Sequence, residues 1–464
     1  MAEGAVRHYT EWTPRLIRRS RYAYEDESRE TNNIMNILGY GPEIRQKRRD
    51  SYKERDRLFN RGNNGLPLFI TAGSKAEGLT CAFESDTDAI FVLPNAVCLE
   101  NSCDQNNIPY HITIFEMNFK MTTAGYCRVL LGRLAPAGSP AISDSLCENE
   151  CGNTLLSSAL FVEHFRNVPL ESDTVIHPQA GPSLPWSNGL FKNDSVHAIR
   201  CQCPNILQAW ANRTRHWPPS DIVEKVVKMG AFVTPIGFKG SEHIHVEWRI
   251  CFNTGETELV NNLNDTQIKL YMLLKMIAKD ILKSQKKEIT SYTMKNIVLW
   301  LAENNKSSLF HSGSLFYWLH EGLDILRTAI STRQLPYYMI PERNLMATSE
   351  LNNEQQLLWG RTIQDMIKEG PRILLRLEKF RKAVIGYPEP LLWYSKMRTE
   401  LEMWELQLFN RTLQCGVTDS MVFETDTIVQ TCNKRTFEIL QEVAWRMGLD
   451  GSSFDEKVLK MMLS

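Results

Sequence analysis

Apolar and polar positions change period along this chain, and the change predicts its elements. Ile44 to Phe59 reads as a long helix anchored by Ile44, Tyr52 and Phe59. From Leu66 to about Phe252, short apolar runs separated by turn residues predict strands at Leu68 to Thr71, Ala89 to Leu93, Tyr110 to Ile114, Tyr126 to Leu131, Val196 to Ile199 and His243 to Phe252. In the last of these, His243, His245, Glu247 and Arg249 alternate with Ile244, Val246, Trp248 and Ile250, the period of a half-buried strand. Ala135 to Pro185 is rich in Ser, Pro, Gly and Asn and reads as an irregular insert. Beyond Glu258 the period becomes helical, with helices expected at Ile268 to Lys283, Thr290 to Asn304, Ser314 to Ser331, Glu354 to Ile385 and Thr436 to Met447.

The fold class expected is therefore α+β. An N-terminal segment and long helix occupy residues 1–62, a mixed-sheet core 63–258, and a helical C-terminal lobe 259–464. At 464 residues and 43% hydrophobic content the chain can bury a large core. Lys and Arg (53) nearly balance Asp and Glu (54), so nucleic-acid binding would need a local patch rather than a global field. Residues 1–62 hold 14 basic against 10 acidic side chains, and Arg45, Arg49, Lys53 and Arg57 recur every fourth residue as a cationic stripe. The stripe reads either as a solvated helix face tempered by Glu54 and Asp56 or as a phosphate-contacting surface.

Eleven cysteines without a repeating spacing fit reduced thiols better than a disulfide framework, and none forms a paired CxxC set with matched histidines, so no structural zinc is expected. The opening MAEGAVRHYTEW lacks an apolar signal core and no run of 18 apolar residues occurs, which leads us to expect a cytoplasmic protein without a membrane span.

The chemistry concentrates at Gly73-Ser74 and at Asp86-Thr87-Asp88, which runs straight into the apolar Ala89 to Leu93. A Gly-Ser turn lets backbone N–H groups and a hydroxyl approach phosphate, and carboxylates two apart on a strand share a face and can hold divalent ions. A third carboxylate from another strand would complete such a site, and Asp194, just before Ser195 to Ile199, qualifies. Glu84 is an alternative first ligand, but the apolar strand follows Asp88 directly.

In these features the chain resembles cyclic GMP-AMP synthase, the animal cGAS-like receptors and the related Mab developmental proteins. The resemblance rests on Gly73-Ser74, eleven residues, then Asp86 to Phe91, and on Asp194 before an apolar strand. It continues through Trp217-Pro218, Glu247 to Phe252, Leu273 to Lys275 and Tyr338 to Glu342, in the family's order and over roughly residues 40 to 350. It implies a bilobal nucleotidyltransferase fold with a spine helix, in which Asp86, Asp88 and Asp194 hold magnesium (or manganese) and do the catalysis. It further implies that Gly73 and Ser74 hold triphosphate, Arg249 contacts base or ribose, and Lys275 contacts phosphate.

The implied activity joins nucleoside triphosphates, ATP and GTP among them, into a cyclic dinucleotide read by a STING-type receptor in antiviral innate immunity. The DNA-sensing member carries a zinc-binding insert just after the strand expected here to end at Glu258 to Asn262. This chain has no Cys or His there, which favours double-stranded RNA as activator, with a dimer possible on that ligand. A catalytically silent Mab-type scaffold and a linear oligonucleotide synthetase are the competing readings.

Overall fold

The computed structural model describes residues 20, 23–61, 67–82, 84–101, 103–168, 173–189, 191–282, 289–415, 425–449 and 451. The chain divides into two compact units: one holds residues 1–41, 213–222 and 262–388, the other 42–212, 223–261 and 389–464. The division differs from the linear one expected from periodicity. Residues 389–464 group with the sheet rather than with a C-terminal helical lobe, and the first described helix groups with the helical unit.

In chain order the elements begin with α1 (Glu25–Met35), α2 (Pro42–Phe59), β1 (Leu68–Ala72), α3 (Gly73–Ala76), β2 (Thr87–Leu99), β3 (Thr113–Asn118) and β4 (Tyr126–Arg133). They continue with α4 (Pro140–Ser143), β5 (Leu146–Glu148), β6 (Thr154–Leu156), α5 (Ser158–Arg166), β7 (Val175–Ile176), β8 (Leu184–Asn188) and β9 (Phe191–Gln202). After α6 (Pro204–Ala211), α7 (Ser220–Met229), β10 (Ala231–Thr234) and β11 (Glu247–Cys251), the described chain is helical. It runs through α8 (Asn253–Asn261), α9 (Asp265–Asp280), α10 (Ser291–Asn304), α11 (Leu315–Thr332), α12 (Asn353–Glu369), α13 (Glu378–Gly386), α14 (Leu391–Cys415) and α15 (Thr427–Leu449).

The sheet unit is organised by β2. It pairs antiparallel with β1 and parallel with β3 and β9, and the path β2-β3-β4-β11-β10-β9 returns to β2. Register against β9 shifts between Val92 and Val97, where Pro94 and Asn95 are exposed. Proline cannot donate to a ladder, so the irregularity falls where the residue requires it. The two faces of β2 differ in chemistry. Ile90 and Val92 pack with Ala72 of β1, Ala198 of β9 and Phe232 of β10 into an aliphatic core. On the other face an aromatic chain runs from Phe59 through Phe69 and Phe91 to His197 and Phe165, with centroid separations of 4.7, 5.4, 5.3 and 3.6 Å.

Several sequence expectations change. Tyr110 is exposed in a loop and β3 begins only at Thr113. The alternation from His243 overstates β11, because residues before Glu247 form a turn that leaves Ile244 exposed. Glu247 is 1% exposed rather than solvent-facing; its carboxylate accepts from the Phe238 N–H (2.9 Å) and the Ser241 hydroxyl (2.7 Å). The supposed irregular insert holds α4, β5, β6, α5 and β7, and residues 253–261 are helix, not the end of a strand.

In the helical unit, the Asn264 side chain accepts from the Gln267 N–H while the Gln267 side chain accepts from the Asn264 N–H, a capping box that starts α9. Lys283, where the sequence pattern ended this helix, lies outside the described residues. The pattern read as one helix from Glu354 to Ile385 is α12 and α13 separated by a 3₁₀ segment, Gly370–Arg376, that opens on positive-φ Gly370 and Pro371. Buried charge here is paired. Lys269 meets Asp265 at 2.6 Å and Asn32 at 2.7 Å. Arg213 bonds Glu303 at 2.9 Å and lies over the Trp300 and Tyr338 rings, and the Tyr338 hydroxyl donates to Glu303 at 2.7 Å.

Candidate active site

Strand register assembles most of the site. In the parallel β2–β9 ladder Asp88 stands directly opposite Asp194, across a 106-residue gap in the sequence that only the fold closes. Neighbouring strands lie about 4.8 Å apart and directly opposed side chains share a face, so the two carboxylates project together. They cap the end of the aliphatic face formed by Ile90, Val92 and Ala198. That face extends to β10 through Phe232, and Thr234, two residues on, pairs with Arg249 of β11. Alternation places the half-buried Arg249 on the same face as the two aspartates. Its Nε lies 3.3 Å from Cys251 Sγ.

The Gly-Ser turn abuts this pair. Ala72, the last residue of β1, is in register with Asp88, and the chain turns at once into α3 through Gly73 at φ 62°. A Cβ on Gly73 would fall 2.0 Å from Asp88 Oδ2, so glycine is required both for backbone conformation and for room beside the carboxylate. Ser74 follows, its carbonyl accepting from the Leu79 N–H at 2.8 Å.

Asp86 is exposed and lies just before β2. Among the described residues no three Asp, Glu, His or Cys side chains are gathered into a set that could hold a metal ion. What the structure brings together is Asp88, Asp194, Gly73 and the Arg249 face, with Asp86 at the approach. Glu84 is half-buried and accepts from the Cys81 N–H at 3.3 Å, a structural contact within its own loop. Lys275 is half-buried on α9 of the helical unit.

The cationic stripe is altered by burial. Arg45 is only 4% exposed, Arg49 is half-buried, and Lys53 and Arg57 are exposed. Arg57 is held by Glu54 through two bonds of 2.7 Å. Arg45 is therefore removed from any solvent-facing stripe. Phe59 is likewise corrected from anchor to partly exposed, at 40%.

Sequence reasoning missed Lys75. Its side chain is fully buried and donates to the carbonyls of Cys81 (2.7 Å) and Ala82, which ties α3 to the loop that delivers Asp86. Burial brings its ammonium down to about 8. Its place immediately after Gly73-Ser74 was the available signal, but a lysine in a polar stretch reads as solvated.

Opposed carboxylates on a mixed sheet beside a Gly-Ser turn are thus what the strand register places at this end of the sheet. Residues 266–364, spanning most of α9 through α12, match the family model described as Mab-21 protein HhH/H2TH-like domain. No curated protein matches the chain.

Proposed function

We propose that this protein is a nucleotidyltransferase that joins nucleoside triphosphates into a cyclic dinucleotide second messenger of innate immunity, read by a STING-type receptor. Double-stranded RNA is the activator that best suits its lack of a zinc-binding insert. The observation that carries the reading is the register of Asp88 against Asp194, with Gly73 leaving room for the Asp88 carboxylate. This all-oxygen donor set suits magnesium, and the missing Gly73 Cβ leaves room for the Asp88 carboxylate beside the turn. When bound by Asp86, Asp88 and Asp194, the ions would supply neutralisation of triphosphate and departing pyrophosphate.

The chain's own residues do the rest. The Gly73-Ser74 turn presents backbone N–H groups and a hydroxyl to phosphate, and Arg249 holds base or ribose from the far side of the same sheet face. Lys75 fixes the loop that brings Asp86 in. Positioning of two triphosphates for successive attack by ribose hydroxyls accounts for most of the expected rate.

A second reading, a catalytically silent Mab-type scaffold, is favoured by the exposure of Asp86, which stands before β2 and outside the ladder that pairs Asp88 with Asp194. Incubating the full chain with all four triphosphates, magnesium and a panel of RNAs and DNAs separates the two. We expect cyclic product with double-stranded RNA, and Asp88→Asn or Asp194→Asn to lower it at least 1,000-fold with the melting temperature near wild type. Silence with every activator supports the scaffold, linear 2′- or 3′-linked chains a linear synthetase, and unfolding of both variants a structural role for the aspartates.

A further inference from the structure

The reverse face of the catalytic sheet holds a partly open cavity of about 680 Å³, bounded by α2, β1, β2, β8, β9 and α14 of the sheet unit. Its walls are mostly apolar and aromatic, among them Phe69, Phe91, Trp186, Leu406 and Phe409. That volume lies within the range of cavities that take small organic ligands. One wall carries a charge. Arg55 is buried, and its guanidinium lies 4.7 Å from the Tyr52 ring centroid, 5.5 Å from that of Phe69 and 5.8 Å from that of Phe409.

Among the described residues Arg55 makes one hydrogen bond, from Nη2 to Thr71 Oγ1 at 2.7 Å, and its buried Nε has no partner. Asp56 accepts from that same hydroxyl and acts on Arg55 through space, without forming an ion pair with it among the described residues. Glu405 also lines the cavity but forms no ion pair with Arg55 among the described residues. A buried cation without a direct counter-ion is unfavourable, and an anionic group entering the cavity would relieve it.

We propose that this cavity binds an anionic amphiphile, with an apolar body against the aromatic walls and an acidic head at Arg55. The site is distinct from the aspartate pair yet shares its strands. Thr87 and Asn193 line the cavity, stand opposite each other in the β2–β9 ladder, and immediately precede Asp88 and Asp194. An occupant therefore presses on the backbone that sets the carboxylates, and control of catalysis from this site rests on the activity proposed above; binding itself does not.

Titration of the full chain with laurate (an aliphatic anion), 1-anilinonaphthalene-8-sulfonate (an aromatic anion) and dodecanol (a neutral comparator) tests the proposal without any catalytic readout. Saturable binding of one laurate or one sulfonate per chain is expected, at least ten-fold tighter than dodecanol; whichever anion binds more tightly identifies the body as aliphatic or aromatic. Arg55→Met should erase the preference for anions while dodecanol binding persists, and Arg55→Lys should retain it. Thr412→Trp, on a half-buried position of α14 that lines the cavity, should weaken all three at least ten-fold. Absence of saturable anion binding by folded wild type overturns the proposal. So does unchanged laurate affinity in folded Thr412→Trp, which decides the matter even where Arg55→Met does not fold.

Discussion

Gly73 and His197 show how single residues acquire meaning from what lies across the sheet. Gly73 is legible in the sequence as a turn, but the reason no other residue serves is the Asp88 carboxylate, whose Oδ2 stands where a Cβ would be. His197 looks like any strand histidine in the sequence. In the fold its ring stacks on Phe165 at 3.6 Å and on Phe91 at 5.3 Å, and burial, with the nearby His164 adding to it, brings its imidazole down to about 4. The native state thus keeps the ring neutral at pH values where the unfolded chain, with an ordinary value of 6.5, already binds a proton. Stability should be undiminished by this group above pH 6.5 and fall by on the order of 3 kcal/mol as pH drops toward 4. Chemical denaturation of wild type and His197→Phe across that window checks it. The variant's stability should lose this part of the slope, and parallel curves would show that His197 is not the group that titrates.

At the scale of elements, α2 is where pattern and structure diverge most. An every-fourth-residue stripe of Arg45, Arg49, Lys53 and Arg57 suggests a solvated cationic face, yet the buried face of α2 is Ile44, Arg45, Arg48, Tyr52, Arg55 and Leu58. The Arg48 guanidinium is buried because α14, which packs on α2, brings its partner from 354 residues away. Arg48 donates through Nε to Glu402 Oε1 at 2.8 Å and through Nη2 to Oε2 at 2.7 Å, and both side chains are nearly inaccessible. A bidentate buried pair is costly to break from one side, since the remaining charge is left in a low-dielectric site. Arg48→Met and Glu402→Leu should each destabilise by about 3–5 kcal/mol, and the double substitution should recover most of that loss. Additive losses in a denaturation cycle would show that the pair does not act as a unit. No local pattern could announce this contact, because Glu402 sits in a helix whose own amphipathicity is weak; the sequence reading placed no helix over Leu391–Cys415 at all.

For the whole molecule, near-neutral net charge means that the proposed RNA activator would have to be held by a restricted patch. Burial leaves Lys53 and Arg57 as the exposed members of the α2 stripe. Replacing both with Glu should weaken double-stranded RNA binding and make its dependence on log salt concentration shallower by about 1–2. An unchanged slope would remove α2 from the RNA surface. The amino-acid sequence by itself determined what depends on near neighbours: the strand at Ala89 to Leu93, the Gly-Ser turn, the adjacent aspartates, and the helical period of α9, α10 and α11. Tertiary structure alone decided what depends on register and burial. It set Asp194 opposite Asp88, placed Arg249 on their face, paired Arg48 with Glu402, and grouped residues 389–464 with the sheet. The reason is physical: periodicity records which side of an element is apolar, whereas the partner a side chain meets is set by how distant elements pack, and buried charge satisfied by such a partner carries no local mark of its burial.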